Sequence, residues 1–328
     1  MKCLVTGATG FIGSHIVDVL LDRGFEVRCL VRSNSDLTWL KGKNVELFEA
    51  SYTDMEKLKL AVKDIDIIYH VAGIIAAKNY DGYLQGNKLP TINLLNAVLE
   101  SNTKLKRFLY VSSQTASGPS ESREKPKTED MPMTPITSYG KSKKETELEV
   151  YEYFNKIPIT IVRPPAVYGP RDKAIFAVFQ SVKLGIGTLM GFNDKYVSLV
   201  HSSDLSRGIV DASLSENTIS KIYFISSKEF YTWKQIINII KKTIDKKLLL
   251  TINLPHSIIL TLGTISEYFG KLSGSVPVFN YEKGIDFIQD YWTCSIEKAA
   301  KDFGYEQKMS IEDGIAETIQ WYKQNKWM

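Results

Sequence analysis

Apolar positions in the first 165 residues alternate between two patterns. Short unbroken apolar runs, the kind buried on both faces of a sheet, fall at residues 2–6, 26–31, 45–48, 66–71, 108–112 and 159–162. Between them apolar residues recur at helical spacing. Ile12, Ile16, Val19 and Leu20 mark a helix over 11–23 that Gly24 stops, and Asp54 caps a helix carrying Leu58, Leu60 and Val62. Residues 84–100 are helical, with Pro90 kinking the helix or delaying its start, and 139–154 form a further helix. Strands alternating with helices predict an α/β fold, a doubly wound parallel sheet of the Rossmann kind with right-handed crossovers.

After Arg163 the alternation breaks. Pro164, Pro165, Gly169 and Pro170 form a loop, 222–225 reads as one more strand, and the remainder is mostly helical. The expected division is a first domain over 1–165, to which the segment around 196–226 returns, and a smaller mixed α/β C-terminal lobe over 166–328. Residues 117–138, with Pro119, Pro126, Pro132 and Pro135, make a connection long enough to predict an active-site loop.

The first strand runs into Thr6-Gly7-Ala8-Thr9-Gly10-Phe11-Ile12-Gly13, where a helix begins. Gly7 permits the tight turn, Gly10 lets backbone approach a pyrophosphate, and Gly13 lets helix pack against strand. A strand before and a helix after are the context that makes this a dinucleotide site. The first domain is therefore expected to bind NAD(P) and the second lobe the substrate. Further along, Tyr139 and Lys143 lie four apart on one helical face. A phenol titrates near 10, and a nearby ammonium favours its phenolate, so the pair suits proton transfer at an alcohol or carbonyl oxygen.

The glycine octapeptide together with Tyr139-x-x-x-Lys143 resembles the extended short-chain dehydrogenase/reductase family, the NAD-dependent epimerases and dehydratases, over almost the whole chain. The late region, with Trp292-Thr293-Cys294-Ser295 and an apolar stretch over 255–272, looks most like the branch of hydroxysteroid dehydrogenase-like and dihydroflavonol reductase-like enzymes. The resemblance implies that Ser113, in Ser112-Ser113-Gln114-Thr115, is the catalytic serine, with Thr115 a second candidate hydroxyl, Tyr139 the acid/base and Lys143 a ligand of the nicotinamide ribose. It also implies that Gly7, Thr9, Gly10, Phe11, Ile12 and Gly13 hold the cofactor, that Ala72 and Gly73 line it, and that Pro164 and Val167 flank its nicotinamide. Beyond the second strand, where an acidic residue would bind the ribose of NAD, stand Arg32 and Ser33. A guanidinium there grips a 2′-phosphate, so NADP is the expected cofactor, with NAD kept open by nearby Asp36. Two positions depart from the family's pattern: Ser51 stands where an adenine-binding Asp is common, and Ala166 where sugar-nucleotide enzymes carry Asn. His201 and Asp204 read as a local hydrogen-bonded pair, and His70 as a structural residue at a strand end.

Composition narrows the setting. The 328 residues are 44% hydrophobic and 24% charged, with a net charge of +4, which excludes a disordered chain and gives no reason to expect nucleic-acid binding. Lys241, Lys242, Lys246 and Lys247, the densest basic cluster, read as a solvated helix end. Three cysteines make no disulfide framework, no leader or integral membrane segment is expected, and the four histidines show no metal spacing. The expected protein is a cytoplasmic homodimer acting on a small molecule: an NADP-dependent oxidoreductase of a secondary alcohol or ketone, with an apolar substrate. The alternatives are a nucleotide-sugar epimerase or dehydratase and a non-catalytic NADP sensor. Ile258, Ile259, Leu262, Ile265 and Phe269, at near-helical spacing, are expected to pack the lobe, the other readings being an apolar substrate pocket or a membrane-resting patch.

Overall fold

The computed structural model describes residues 1–274, 276, 277 and 279–328. Six strands of the first half, β1 (Lys2–Thr6), β2 (Glu26–Val31), β3 (Glu46–Glu49), β4 (Ile67–His70), β5 (Arg107–Val111) and β6 (Ile159–Arg163), lie in one parallel sheet. Later strands are β7 (Ala166–Tyr168), β8 (Ile186–Met190), β9 (Tyr196–His201), β10 (Lys221–Phe224), β11 (Phe230–Thr232), β12 (Leu250–Leu254) and β13 (Tyr291–Trp292). The main sheet has the order β10-β6-β5-β4-β1-β2-β3, every pair parallel, as a Rossmann sheet extended by one strand. Only 221–224 of the segment around 196–226 joins it. β9 instead pairs with β7, β11 and β13 in a second sheet, and β8 with β12 in a two-stranded ribbon.

The helices of the first half are α1 (Phe11–Asp22), α2 (Met55–Val62), α3 (Tyr80–Tyr83), α4 (Leu89–Ser101), α5 (Gln114–Ser117) and α6 (Ser138–Tyr151). Those that follow are α7 (Phe176–Leu184), α8 (Ser202–Leu214), α9 (Trp233–Thr243), α10 (His256–Ser273), α11 (Tyr281–Ile288), α12 (Glu297–Phe303) and α13 (Ile311–Gln324). The expected helix over 84–100 begins as a π-helical turn at Leu84–Lys88, which joins α3 before it to α4 after it. α4 then starts at Leu89, so Pro90 sits in a first turn that needs no amide from it. Asp54 caps α2 by accepting from the Lys57 amide.

Apolar side chains fill both faces of the main sheet. Cys3, Val5, Val27 and Cys29 pack with Ile16 and Leu20 of α1 and Ile209 of α8, while Leu4, Ile68 and Phe108 pack with α2 and α4. A third cluster, around Phe179, Ile236, Ile315 and Tyr322, forms the core of the second lobe. The expectation that the 258–269 residues pack that lobe is not met, except at Ile259. Ile258, Leu262, Ile265 and Phe269 are exposed, because α10 seats on α11 through the neighbouring positions Ile259 and Gly263.

Candidate active site

Parallel pairing puts the C-terminal ends of all seven strands of the main sheet on one edge, the edge where open α/β sheets bind ligands. There β1 ends at Thr6 and the chain turns through Gly7, whose φ of 69° favours glycine. A Cβ on Gly7 would lie 2.8 Å from the Ala72 nitrogen, and one on Gly13 would lie 2.2 Å from the Gly7 carbonyl oxygen. Both glycines are therefore demanded by close approach. Gly10 caps α1 without a side chain, so the first amides of the helix, from Phe11 and Ile12 on, are left to an outside acceptor. Bare amides, a helix N-terminus and a backbone stripped of Cβ atoms fit the pyrophosphate of a dinucleotide. Thr9, Phe11 and Ile12 are half-buried at the mouth of this turn.

Arg32 and Ser33 are exposed just past β2. The Ser35 hydroxyl accepts from the Arg32 amide at 2.9 Å, while the guanidinium makes no ion pair among the described residues. Asp36 is engaged by its own turn, accepting from the Thr38 amide (3.0 Å) and hydroxyl (2.6 Å). Ser51 closes a local turn with Thr53. Past β4, the chain passes through Ala72 and Gly73 toward the tyrosine–lysine pair, and a Cβ on Gly73 would lie 3.4 Å from Lys143 Nζ. Asn87, from the π-helical turn, ties this stretch down by accepting from the Ile74 amide at 2.8 Å and donating to Ser142 Oγ at 3.1 Å. His70 is buried between Thr6 Oγ1 (2.8 Å) and Thr91 Oγ1 (2.9 Å), and burial pushes its pKa down to about 3, which suits a structural role.

The Thr137 hydroxyl caps α6 by accepting from the Gly140 amide. Glu282, from α11, grips the same helix start, accepting from the Ser138 amide (3.0 Å) and hydroxyl (2.6 Å). Tyr139 follows at once, hydrogen-bonded to Ser113, with its ring 6.1 Å from that of Tyr83. Ser113 caps α5, and its oxygen accepts from the Thr115 amide (3.2 Å) and hydroxyl (2.8 Å). Lys143 is buried, donating to the Val111 carbonyl at 3.2 Å, with Nζ 5.1 Å above the Tyr110 ring. Ser113, Thr115, Tyr139 and Lys143 thus converge beside Gly73. Pro164 borders them, its carbonyl accepting from the Gln114 amide at 2.9 Å. Val167 sits farther along in β7, opposite Val200.

Burial sets the titration of this group. It pushes the Tyr139 phenol up to about 12, against a hydrogen bond from Ser113 that lowers it. It pulls the Lys143 ammonium down to about 8, against the charge of Glu147. In the chain alone the ammonium therefore does not draw the phenol toward neutrality, as the spacing suggested. Desolvation dominates the phenol, and Tyr139 stays protonated at pH 7.

Three charged residues around the group were not read from sequence. Glu147, one turn beyond Lys143, is fully buried and accepts from Arg163 Nε (3.0 Å), from the Tyr151 hydroxyl (3.1 Å) and from Ser112. A charged Arg163 closing a buried strand was the available signal, since such a charge needs a partner. Glu282 and Asp286 come from α11 and had no local signal. Asp286 Oδ1 has no hydrogen-bond partner among the described residues, and burial pushes its pKa up. The expected His201–Asp204 pair does not form. His201 bonds Ser203 at 2.7 Å, and Asp204 turns to Arg207 and to the amides of Lys308 and Met309. A cavity of about 560 Å³ is lined in part by Tyr83, Ser138, Glu267, Tyr281 and Glu282, and so reaches the residue before Tyr139. A larger one of about 960 Å³, between the 123–126 and 306–312 loops, is lined by none of these residues.

Known proteins resemble the chain throughout its length. It is 27% identical to ceramide reductase of Caulobacter vibrioides, over 99% of this chain and 95% of that protein. It is also 27% identical to UDP-glucuronate 4-epimerase of Thermodesulfobacterium geofontis, over 98% and 96%. Among solved structures, UDP-glucuronic acid 4-epimerase from Bacillus cereus, in complex with UDP-glucuronic acid and NAD, superposes with a TM-score of 0.78 at 25% identity, covering 99% of this chain and all of that one. No helix among the described residues is long and apolar enough to cross a membrane. Residues 3–225 match the family model that spans this glycine turn, the serine and the tyrosine–lysine pair, and the chain is an enzyme that belongs to the NAD dependent epimerase/dehydratase family.

Proposed function

We propose that the chain is an NADP-preferring oxidoreductase that interconverts a secondary alcohol and its ketone on a largely apolar substrate. The observation that carries this reading is the convergence of Ser113, Tyr139 and Lys143 at the edge where the glycine turn leaves bare amides. In this reading residues 1–165 hold the cofactor and 166–328 the substrate. The amides after Gly10 take the pyrophosphate, Arg32 and Ser33 the 2′-phosphate, and Lys143 the nicotinamide ribose. Ala72 and Gly73 line the path between, and Pro164 and Val167 lie toward the nicotinamide. When bound, the dinucleotide supplies hydride for reduction and takes it up in oxidation.

The chain's own groups handle the proton. Ser113 Oγ accepts from Thr115 and bonds the Tyr139 phenol, so a substrate oxygen entering between the two takes hydrogen bonds from both hydroxyls. Tyr139, held protonated, gives its proton to that oxygen as negative charge develops, and takes it back in the reverse direction. Lys143 is cationic below about pH 8 and steadies the phenolate left behind. Free Arg32 beside a self-engaged Asp36 supports NADP. The three cysteines are buried and unpaired, which supports a reducing, cytoplasmic setting.

The apolar substrate rests on Ala166, at the position where the family's sugar-nucleotide enzymes carry Asn, and on the likeness to ceramide reductase. The likeness to UDP-glucuronate 4-epimerases favours a second reading, epimerisation or dehydration of a nucleotide sugar by the same three groups. Calorimetry with a panel of UDP-hexoses, beside NADPH oxidation with hydrophobic ketones, separates the two. Weak UDP-sugar binding and ketone-dependent oxidation are expected. Micromolar affinity for a UDP-sugar, with no ketone turnover, would replace the first reading by the second.

A further inference from the structure

α10 carries two apolar stripes side by side. One, at Ile259 and Gly263, faces inward, and a Cβ on Gly263 would lie 2.7 Å from the Asn280 carbonyl oxygen at the start of α11. The other, at Ile258, Leu262, Ile265, Phe269 and Leu272, follows the same three-and-four spacing and faces solvent, with exposures from 44% to 67%. The exposed line runs for about 21 Å along the helix. Single exposed apolar residues are ordinary, but a continuous stripe of five marks an interaction surface.

The stripe does not end with the helix. Pro255 joins α10 directly to β12, and a Cβ on Gly191 would meet the His256 ring at 2.4 Å, which seats the helix start against the end of the β8–β12 ribbon. That ribbon also shows apolar side chains to solvent: Leu250 and Ile186, which pair across it, Ile252 beside them, and Leu184, Leu248 and Phe192 at its ends. Lysines flank this ribbon. Lys246 Nζ donates to the Lys183 carbonyl at 2.8 Å, placing the 241–247 cluster beside residues 183–186. Among the described residues Lys183, Lys241, Lys242 and Lys247 have no carboxylate within ion-pairing distance, and Asp245 is the one acid in 241–247. The result is an apolar surface with a basic border.

We propose that this face docks on the surface of an anionic phospholipid bilayer, its apolar stripe entering the headgroup region and its lysines meeting the lipid phosphates. Charge decides the occupant. Lys183, Lys241, Lys242 and Lys247 have no carboxylate partner among the described residues, and anionic headgroups, which a bilayer presents all around an inserted apolar stripe, supply that missing charge. The inward side of the same helix contributes Glu267 to the cavity beside Tyr83, so a docked enzyme would hold its substrate cleft close to the lipid surface. The inference stands on surface residues alone and does not depend on the reaction proposed above.

Flotation of the full chain with vesicles tests it, using phosphatidylcholine alone and phosphatidylcholine with 30 mol% phosphatidylglycerol, a composition of about one anionic lipid in three. Binding is expected to the anionic vesicles and to weaken in high salt. Leu262→Asp with Phe269→Asp should abolish it. Lys242→Glu with Lys247→Glu should lower the partition coefficient by at least about 25-fold, roughly fivefold for each lysine charge lost. All four side chains are exposed, so melting temperature and cofactor affinity should not move. The same charge change at Lys57 and Lys63, exposed on and beside α2, should leave binding intact. No flotation with anionic vesicles, or equal loss from the Lys57 and Lys63 changes, would overturn the proposal. So would a stable dimer in sedimentation equilibrium that the Leu262 and Phe269 changes dissociate, because the face would then belong to a second copy.

Discussion

Glu147→Gln separates what holds the active site together from what tunes it. The carboxylate is fully buried and collects donors from Arg163, Tyr151 and Ser112, while Arg163 itself is 1% exposed. The amide keeps the volume but removes the charge, leaving a buried guanidinium without its counter-ion. Breaking a buried pair in this way costs about 3–5 kcal/mol, a fifth or more of the ~5–15 kcal/mol by which a domain is stable. Glu147 is also the charge that holds the Lys143 ammonium up against burial. Its loss should therefore drop Lys143 further below about 8 and move the basic limb of the turnover profile to lower pH. Urea unfolding measures the first effect and a pH profile of kcat the second. Replacing both partners, Glu147→Met with Arg163→Met, should recover most of the stability and leave the limb displaced, since the field at Lys143 is still missing. A stability loss under ~1 kcal/mol in Glu147→Gln, or a basic limb that stays in place, would refute the reasoning.

Arg32→Asp should reverse the cofactor preference from NADP to NAD, and equal affinities in the unaltered protein by fluorescence titration would sink the assignment. Gly13→Ala should weaken cofactor binding at least about tenfold, because its Cβ would collide with the Gly7 carbonyl that shapes the turn, and unchanged affinity in the same titration would count against that turn as the binding loop. Burial holds His15, His70 and His201 at about 4, about 3 and about 4, below the 6.5 of an open chain. Between those values the unfolded chain binds more protons than the folded one, so stability present at pH 7 is lost as pH falls below 6.5, by up to ~1.4 kcal/mol per pH unit for each histidine. Glu129, Asp172 and Asp286, raised by burial, work the other way. Urea midpoints should fall from pH 7 to pH 5, and a flat series would contradict the buried neutral imidazoles.

Where the determinants of structure are local, the chain reads plainly. β1 and β2 lie where the apolar runs put them, and β3 is displaced by one residue because Val45 closes a turn on Lys43 before pairing begins. The glycine turn reads because turn, helix start and packing contact all fall within eight residues. Contacts made at long range do not read this way. Glu282 clamps Ser138 from 144 residues away, and only the fold brings α11 to the start of α6. The periodicity of α10 identified a helix with one apolar side, but periodicity gives no absolute orientation. Gly263 allows so close a seat on α11 that the neighbouring larger side chains turn outward. His201 and Asp204 are three apart, which suggested a pair. Each found a different partner because His201 caps α8 and Asp204 lies inside it.

The proton role given to Tyr139 is tested most directly by Tyr139→Phe with NADPH and a hydrophobic ketone that the unaltered enzyme reduces. Turnover followed by nicotinamide absorbance should fall at least ~100-fold. NADPH affinity and melting temperature should hold, since the lost hydroxyl bonds Ser113 and leaves the glycine turn untouched. Near-normal turnover in that variant would contradict the proposed chemistry.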